Sequence, residues 1–481
     1  MNRRDILKSA ALIGGAALLT PEAVWAAAAN DWTLGLADVE ADVAPTGLSR
    51  LHGKAPADLT GTLFRNGPAK FRRPGGDVGH WFDGDGMVRK FQIAGGQARM
   101  SARFVDTVKR RNDTAANAVI TPGYGTAPGK GSVITGPDDA NAANTSVMMA
   151  GGELWALWEA GSATALDPAT LETKGVKTLR PDMKGMPFSA HPRVQPDGTV
   201  WNIGLGGQHA VVWKLAPDGA LQKAEMITLP RASYMHDFTA TARHLILVLQ
   251  PWVQERFAMP VTASMAWKPE LGTQVLVLDK DDLTKRRVFE LPPFFFFHLG
   301  DAWADSDGTI RFDACLDENP FGTAANAGAL LQGKAIRAAP PRRALITLRA
   351  DGKGELAKDT VSAEFPRSDP RFAGLARRYS VHVTNERPDR PLFQGVAVRD
   401  WKTDSDQVFN FGPRHLVEEM VFVPRPGSSA ELDGWLVGTT LNLDAKATEL
   451  HVFDARLVQQ GPVVSWRAPV ALPVTFHGVF V

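Results

Sequence analysis

A single cysteine, Cys315, stands among 481 residues, so the chain cannot close a disulfide on itself. An oxidising compartment would neither help nor harm such a fold. Cys315 reads as a buried packing residue. Net charge is equally scarce: 53 Lys and Arg oppose 52 Asp and Glu, leaving +1 at pH 7. That balance argues against nucleic acid or an anionic membrane as an electrostatic partner. There is no Ser/Pro-rich linker, low-complexity tract or charge block to mark a domain boundary. Tyrosine occurs three times, at Tyr124, Tyr234 and Tyr379, and histidine only 11 times.

What is present begins with an address. Arg3 and Arg4 precede Ile6-Leu7-Lys8 and an apolar, glycine- and alanine-rich run from Ser9 to Leu19; small residues follow up to Ala28. A basic start, a short apolar core and an A-x-A-like end describe a signal peptide over residues 1–28. The apolar run falls short of the about 20 residues that cross a bilayer. Paired arginines suit the twin-arginine route, although Ile6 stands where phenylalanine is commoner, and an ordinary secretory signal is the alternative. The expectation is a periplasmic protein, exported folded. Without Arg3, Arg4, Lys8, Asp5 and Glu22 the remaining chain is formally neutral.

Residues 29–481 read as one all-β domain. Short runs such as GGELWALWEA, RHLILVLQPW, TQVLVLDKDD and RALITLRADG are bounded by turn dipeptides. Asp197-Gly198, Asp218-Gly219, Asp307-Gly308, Asp351-Gly352 and Asp433-Gly434 each stand where a hairpin turn needs the positive φ that glycine supplies. Convincing long amphipathic helices are few. Many short strands in one large domain favour a propeller over a sandwich or barrel.

Four histidines have distinctive settings: His191 in SAHPRVQPDG, His236 in YMHDF, His298 in PPFFFFHLGDAW and His477 in TFHGVFV. Neutral imidazole suits iron, copper, zinc and nickel, so the set reads as a possible metal centre, although any one could be a hydrogen-bonded core residue. Their separations of 45, 62 and 179 residues amount to about one, one and three blades, if blades run roughly 45–65 residues. One histidine per inner strand would then converge on the propeller axis.

Together with GTLFRNGPAKFRRPGGDVGHWFDGDGM, NTSVMMAGGELWALWEAG, DPATLETKG, AEFPR, EEMVFVPR and ELDGW, the four settings resemble the carotenoid cleavage oxygenases. That family includes apocarotenoid and lignostilbene dioxygenases, and the resemblance runs from about Thr60 to the C-terminus. It implies a seven-bladed β-propeller with ferrous iron on the axis, held by His191, His236, His298 and His477. It implies glutamates behind three of the rings: Glu159 for His236, Glu364 for His298, and Glu419 (with Glu418 as competitor) for His477. His191 has none. Such carboxylates would offset the ion's charge and fix each ring by accepting its other N–H. Thr145, 14 residues before Glu159, matches a threonine whose methyl crowds one of the iron's remaining positions; a plain strand threonine is the alternative. Zinc is the rival metal, although an all-histidine site is atypical of catalytic zinc.

The implied reaction inserts dioxygen across a carbon–carbon double bond of a lipophilic, conjugated substrate and yields two carbonyl fragments, without an organic cofactor. Stilbene-cleaving relatives carry a phenol-gripping lysine immediately before the first glutamate. Here Trp158 stands there, which suits an apolar polyene, as does the scarcity of tyrosine. A carotenoid or apocarotenoid is therefore favoured over a stilbene. A double-bond isomerase and a non-catalytic iron-binding propeller remain alternatives. A lipophilic substrate also implies transient membrane contact during uptake. Phe294-Phe295-Phe296-Phe297 either line a tunnel or pack between blades. His80, Asp83 and Asp85 read as a structural turn rather than ligands, and Trp81, Trp201 and Trp303 as core.

Overall fold

The computed structural model describes residues 31–334, 339–386 and 391–481; the signal-like segment 1–28 lies outside them. Period-two patterning builds many of its strands. In Gln97–Phe104 the side chains Ala98, Met100, Ala102 and Phe104 are buried, while their neighbours are exposed or half-buried, as a pleated strand with one dry face requires. Other strands, such as Phe295–Leu299, are buried along their whole length.

These strands form seven antiparallel sheets of four or five strands, the blades of a propeller, with two further strand pairs outside them. The ring is closed by both ends of the chain. The last strand, Gly478–Phe480, pairs with Gly61–Lys70 and becomes the inner edge of the first blade. The early strand Ser49–Gly53 pairs with Val464–Arg467 and becomes the outer edge of the seventh.

Apolar clusters weld neighbouring blades face to face. Ile246, Val275 and Val277 of the fourth blade meet Phe294, Phe296 and Phe312 of the fifth. Burying each such phenylalanine contributes roughly 1.5–3 kcal/mol. The four-phenylalanine run thus divides by parity: Phe294 and Phe296 pack between blades, while Phe295 and Phe297 join Tyr124, Tyr234 and Trp252 in an aromatic cluster. Trp201 and Trp303 are core, and Cys315 is buried and free. Among the described residues the longest helix is the eight-residue Val108–Ala115, capped by Thr107. No described helix is long and apolar enough to cross a membrane.

Four of the five Asp-Gly dipeptides make one and the same turn. Gly198, Gly219, Gly308 and Gly352 have φ between +81° and +93°, and the preceding aspartate accepts the N–H two residues on, as Asp197 does from Thr199 at 2.9 Å. Asp433-Gly434 departs from this expectation. Gly434 opens the strand Gly434–Asn442, and the positive φ falls on Leu432 at +58°. Glycine is needed at 434 for closeness, since a Cβ there would lie 2.1 Å from the Val423 carbonyl oxygen.

Candidate metal centre

Each blade presents one edge strand to the axis, and each such strand brings one side chain to its inner end. In chain order these are Thr145 before Ser146–Ala150, His191 before Arg193–Val194, His236 before Thr239–Ala240, and His298 within Phe295–Leu299. Glu364 starts Glu364–Arg367, Glu419 lies within His415–Pro424, and His477 precedes Gly478–Phe480. The separations of one, one and three blades expected between the histidines are those observed.

The four imidazoles converge, with one nitrogen from each lying within 4.8 Å of the others. Nε2 of His191 is 2.9 Å from Nε2 of His236, and Nε2 of His298 is 3.1 Å from Nε2 of His477. The opposite nitrogens explain this orientation. Nδ1 of His236 lies 2.7 Å from Glu159, Nδ1 of His477 lies 2.8 Å from Glu419, and Nδ1 of His298 bonds Glu364. A carboxylate accepting Nδ1–H favours the neutral tautomer with an unprotonated Nε2, so the lone pairs of His236, His298 and His477 are turned to the shared centre. That donor set fits a cation ligated by imidazole and is costly without one. His191 has no carboxylate partner.

Burial and the neighbouring rings hold His191 well below the ordinary imidazole range. Burial likewise takes His477 down to about 3, against the opposing pull of Glu419. For His298, burial is outweighed by Glu364, and the ring is raised. Glu419 is the more firmly ionised for its surroundings: burial would raise it, but Arg367 and His477 draw it well below the carboxylate range. Glu418, the competitor in sequence, turns away from the ring toward Thr475 and Arg65.

Three contributors lay beyond the sequence reading. Tyr234 donates its hydroxyl to Glu159 at 2.9 Å; its place two residues before His236 was the available signal. Arg367, in AEFPR, holds Glu419 by two bonds. Arg65, in FRNGP, is fully buried and reaches Thr475 Oγ1 at 2.8 Å and the carbonyls of Glu419 and Phe476 at 2.7 and 3.1 Å. His80 is not a ligand: Nδ1 accepts from the Phe82 N–H and Nε2 faces the Thr323 carbonyl. Asp83 accepts from Tyr124 N, Gly125 N and Thr126 Oγ1, while Asp85 pairs with Lys109 and Arg73. Both are structural.

A cavity of about 1130 Å³ opens onto His236, His298 and His477. Its wall includes Thr145, Trp158, Glu159, Phe297 and Phe365, with no lysine or arginine among the described residues. Thr145 also ties this wall to the centre, its carbonyl accepting the His477 N–H at 3.3 Å. Trp81 is core as expected and also borders the cavity. One expectation needs correction. Tyrosine, scarce in the chain, is not scarce here, since Tyr124 and Tyr234 both line the wall.

The profile of the retinal pigment epithelial membrane protein family matches residues 36–481. The apocarotenoid-15,15'-oxygenase of Synechocystis is 28% identical over 492 residues, covering 93% of each chain. Resveratrol cleavage oxygenase 1 of Aspergillus fumigatus is 27% identical over 473 residues, covering 92% of each. Lignostilbene-alpha,beta-dioxygenase isozyme III of Sphingomonas paucimobilis is 26% identical, covering 89% of this chain and 92% of its own. Among solved structures, the cobalt-substituted Synechocystis apocarotenoid oxygenase superposes with a TM-score of 0.85 at 25% identity, covering 94% of this chain and 98% of its own.

Proposed function

Because the chain belongs to the carotenoid cleavage oxygenases, the family of the retinal pigment epithelial membrane protein, we infer that it is a non-haem iron(II) dioxygenase. It cleaves a carbon–carbon double bond of a carotenoid or apocarotenoid into two carbonyl products. The observation that carries this reading is the convergence of four imidazoles, three of them backed by carboxylates, at the end of a large and mostly apolar cavity.

His191, His236, His298 and His477 would hold the ion, which supplies dioxygen binding and activation. The protein's own work is positional. Glu159, Glu364 and Glu419 keep the Nδ1 proton on three rings, and so keep their Nε2 lone pairs free. Their charges also offset a dication in a site shielded from water. Phe297, Phe365 and Trp158 make the approach apolar. The Thr145 side chain would crowd the centre from the second blade.

A stilbene is the second reading. It is favoured by the hydroxyls of Tyr124 and Tyr234 on the wall, and by the resveratrol- and lignostilbene-cleaving relatives. Mass spectrometry of products from a panel of carotenoids, apocarotenals and hydroxystilbenes tests both readings. Two shorter carbonyls mean cleavage, an unchanged mass means isomerisation, and no product means neither.

For localisation we propose export by the twin-arginine-type segment and uptake of substrate from a membrane surface. Exposed Phe257, Ile134 and Met186 all border the cavity, and Phe257 is 89% exposed. Failure of a periplasmic fraction to contain the protein, or of Phe257→Ser to weaken vesicle flotation, would contradict the respective half.

A further inference from the structure

Among the described residues four carboxyl side chains border the cavity, and three have work elsewhere. Glu159 takes His236 and Tyr234, Glu364 takes His298, and Glu418 takes Thr475 and Arg65. The fourth, Asp317, closes the strand Ile310–Asp317 and makes no hydrogen bond or ion pair with any described residue. Its side chain is half-buried at the cavity wall, so the carboxyl is open to a ligand there. Burial, reinforced by the charge of Glu364, pushes this carboxyl well above its ordinary range and favours the neutral acid. A carboxylic acid held neutral in an apolar site is a hydrogen-bond donor.

Strand register places the group relative to the histidines. Asp317 pairs with Phe295, and cross-strand partners share a face. Phe295 packs with Phe297, whose ring is on the cavity wall. From Phe295 to His298 is three residues, about 10 Å along a strand. The cavity thus has imidazoles at one point and, roughly 10 Å along the same strand pair, an unpartnered carboxyl on the wall near Glu364.

We propose that Asp317 is a specificity residue that binds the terminal oxygen of a neutral polyene, an aldehyde, ketone or alcohol, and so sets which double bond reaches the histidines. Polyenes ending in a carboxylate are disfavoured, because the described wall offers four carboxyl groups and no cation. The assignment rests on the polyene reading of the cavity.

Binding followed by quenching of tryptophan fluorescence, with Trp81 and Trp158 on the wall, separates the two ideas. The unsubstituted protein should bind an apocarotenal more tightly than the hydrocarbon polyene of equal length, and more tightly than the corresponding acid. Asp317→Leu should bind the aldehyde about tenfold more weakly, the loss of one buried hydrogen bond, and the hydrocarbon no worse. Asp317→Asn, whose amide still donates, should keep most of the preference. Where Asp317→Leu does not fold, Asp317→Ala removes the acid without added bulk. In turnover the loss should fall on KM, with cleavage spread over more than one bond. Equal binding of aldehyde and hydrocarbon by the unsubstituted protein, or an unchanged ratio in Asp317→Leu or Asp317→Ala, overturns the role of Asp317 alone. Binding of neither polyene by the unsubstituted protein overturns the substrate reading and this assignment with it.

Discussion

Arg367 grips Glu419 with two nitrogens, Nε to Oε1 at 2.7 Å and Nη2 to Oε2 at 3.0 Å. The same carboxylate receives His477 Nδ1 and the Gly478 N–H, at 2.8 and 2.9 Å. Glu419 therefore spends much of its charge on an arginine, whereas Glu159 has only neutral Tyr234 beside its histidine. The three carboxylates are not equivalent: Glu159 is freer to offset the ion, and Glu419 chiefly fixes the end of the chain.

That inequality is measurable. Glu159→Gln should lower iron retention or turnover about 10–100-fold while the fold persists. Tyr234→Phe should cost less, since the carboxylate stays. Iron content after dialysis against a chelator, with kcat on the same samples, decides it. Normal values in Glu159→Gln would make that residue a bystander.

Metal identity is tested by removal. Chelation should abolish cleavage, ferrous ion should restore it, and zinc should not. His236→Ala should fail to retain about one iron per chain. Full activity with zinc, or undiminished iron in that variant, contradicts the assignment.

Substrate preference should follow Trp158. Unsubstituted protein should cleave an apocarotenal faster than a 4-hydroxystilbene. Trp158→Lys should move the ratio of kcat/KM toward the phenol, because an ammonium can pair with a phenolate and an indole cannot. A variant with the original ratio would show that Trp158 does not choose the substrate.

Acid should destabilise the fold through histidines far from the centre. His382 and His451 are both depressed to about 3, chiefly by burial. Unfolded, each binds its proton near pH 6.5. Their contribution is thus complete above about pH 6.5 and shrinks as pH falls toward 3, by about 1.4 kcal/mol per pH unit for each. His382→Gln should flatten that slope in denaturant titrations at pH 7, 6 and 5. An unchanged slope removes His382 from the account.

The histidines were readable because each lies in or shortly before an inner strand, where local sequence must satisfy sheet and ligand at once. The three glutamates were readable by resemblance, and Glu159 follows Glu153–Leu157, one strand behind the inner edge. Arg65 was not, because its partners lie 353 to 411 residues away and nothing near FRNGP announces them. The even turns at Asp197, Asp218, Asp307 and Asp351 showed through as Asp-Gly. Asp433-Gly434 misled because glycine serves close approach as well as positive φ. The blade count came from resemblance, since blades share geometry rather than side chains. Trp81 was half legible: burial shows in a tryptophan's surroundings, but which wall it faces is settled by distant strands.

Removing Phe476 onward should do more than trim a tail. It deletes the strand paired with Leu63, Phe64 and Arg65 and removes one of the acceptors of the Arg65 guanidinium, the Phe476 carbonyl. The expected result is loss of iron together with loss of a cooperative thermal transition. A truncated protein that melts normally and binds iron would contradict the role of His477 in both.

The double clasp of the ring also dictates an order of events during synthesis. The first blade waits for residues 478–480 and the seventh borrows residues 49–53, so no nascent chain can shut the circle before residue 480 has left the ribosome. At about 5–20 residues per second, the early strands wait tens of seconds with an unpaired inner edge. His477 arrives with that same strand. A four-imidazole site would thus form only as the ring closes, and a product interrupted before residue 477 is left both open and empty-handed.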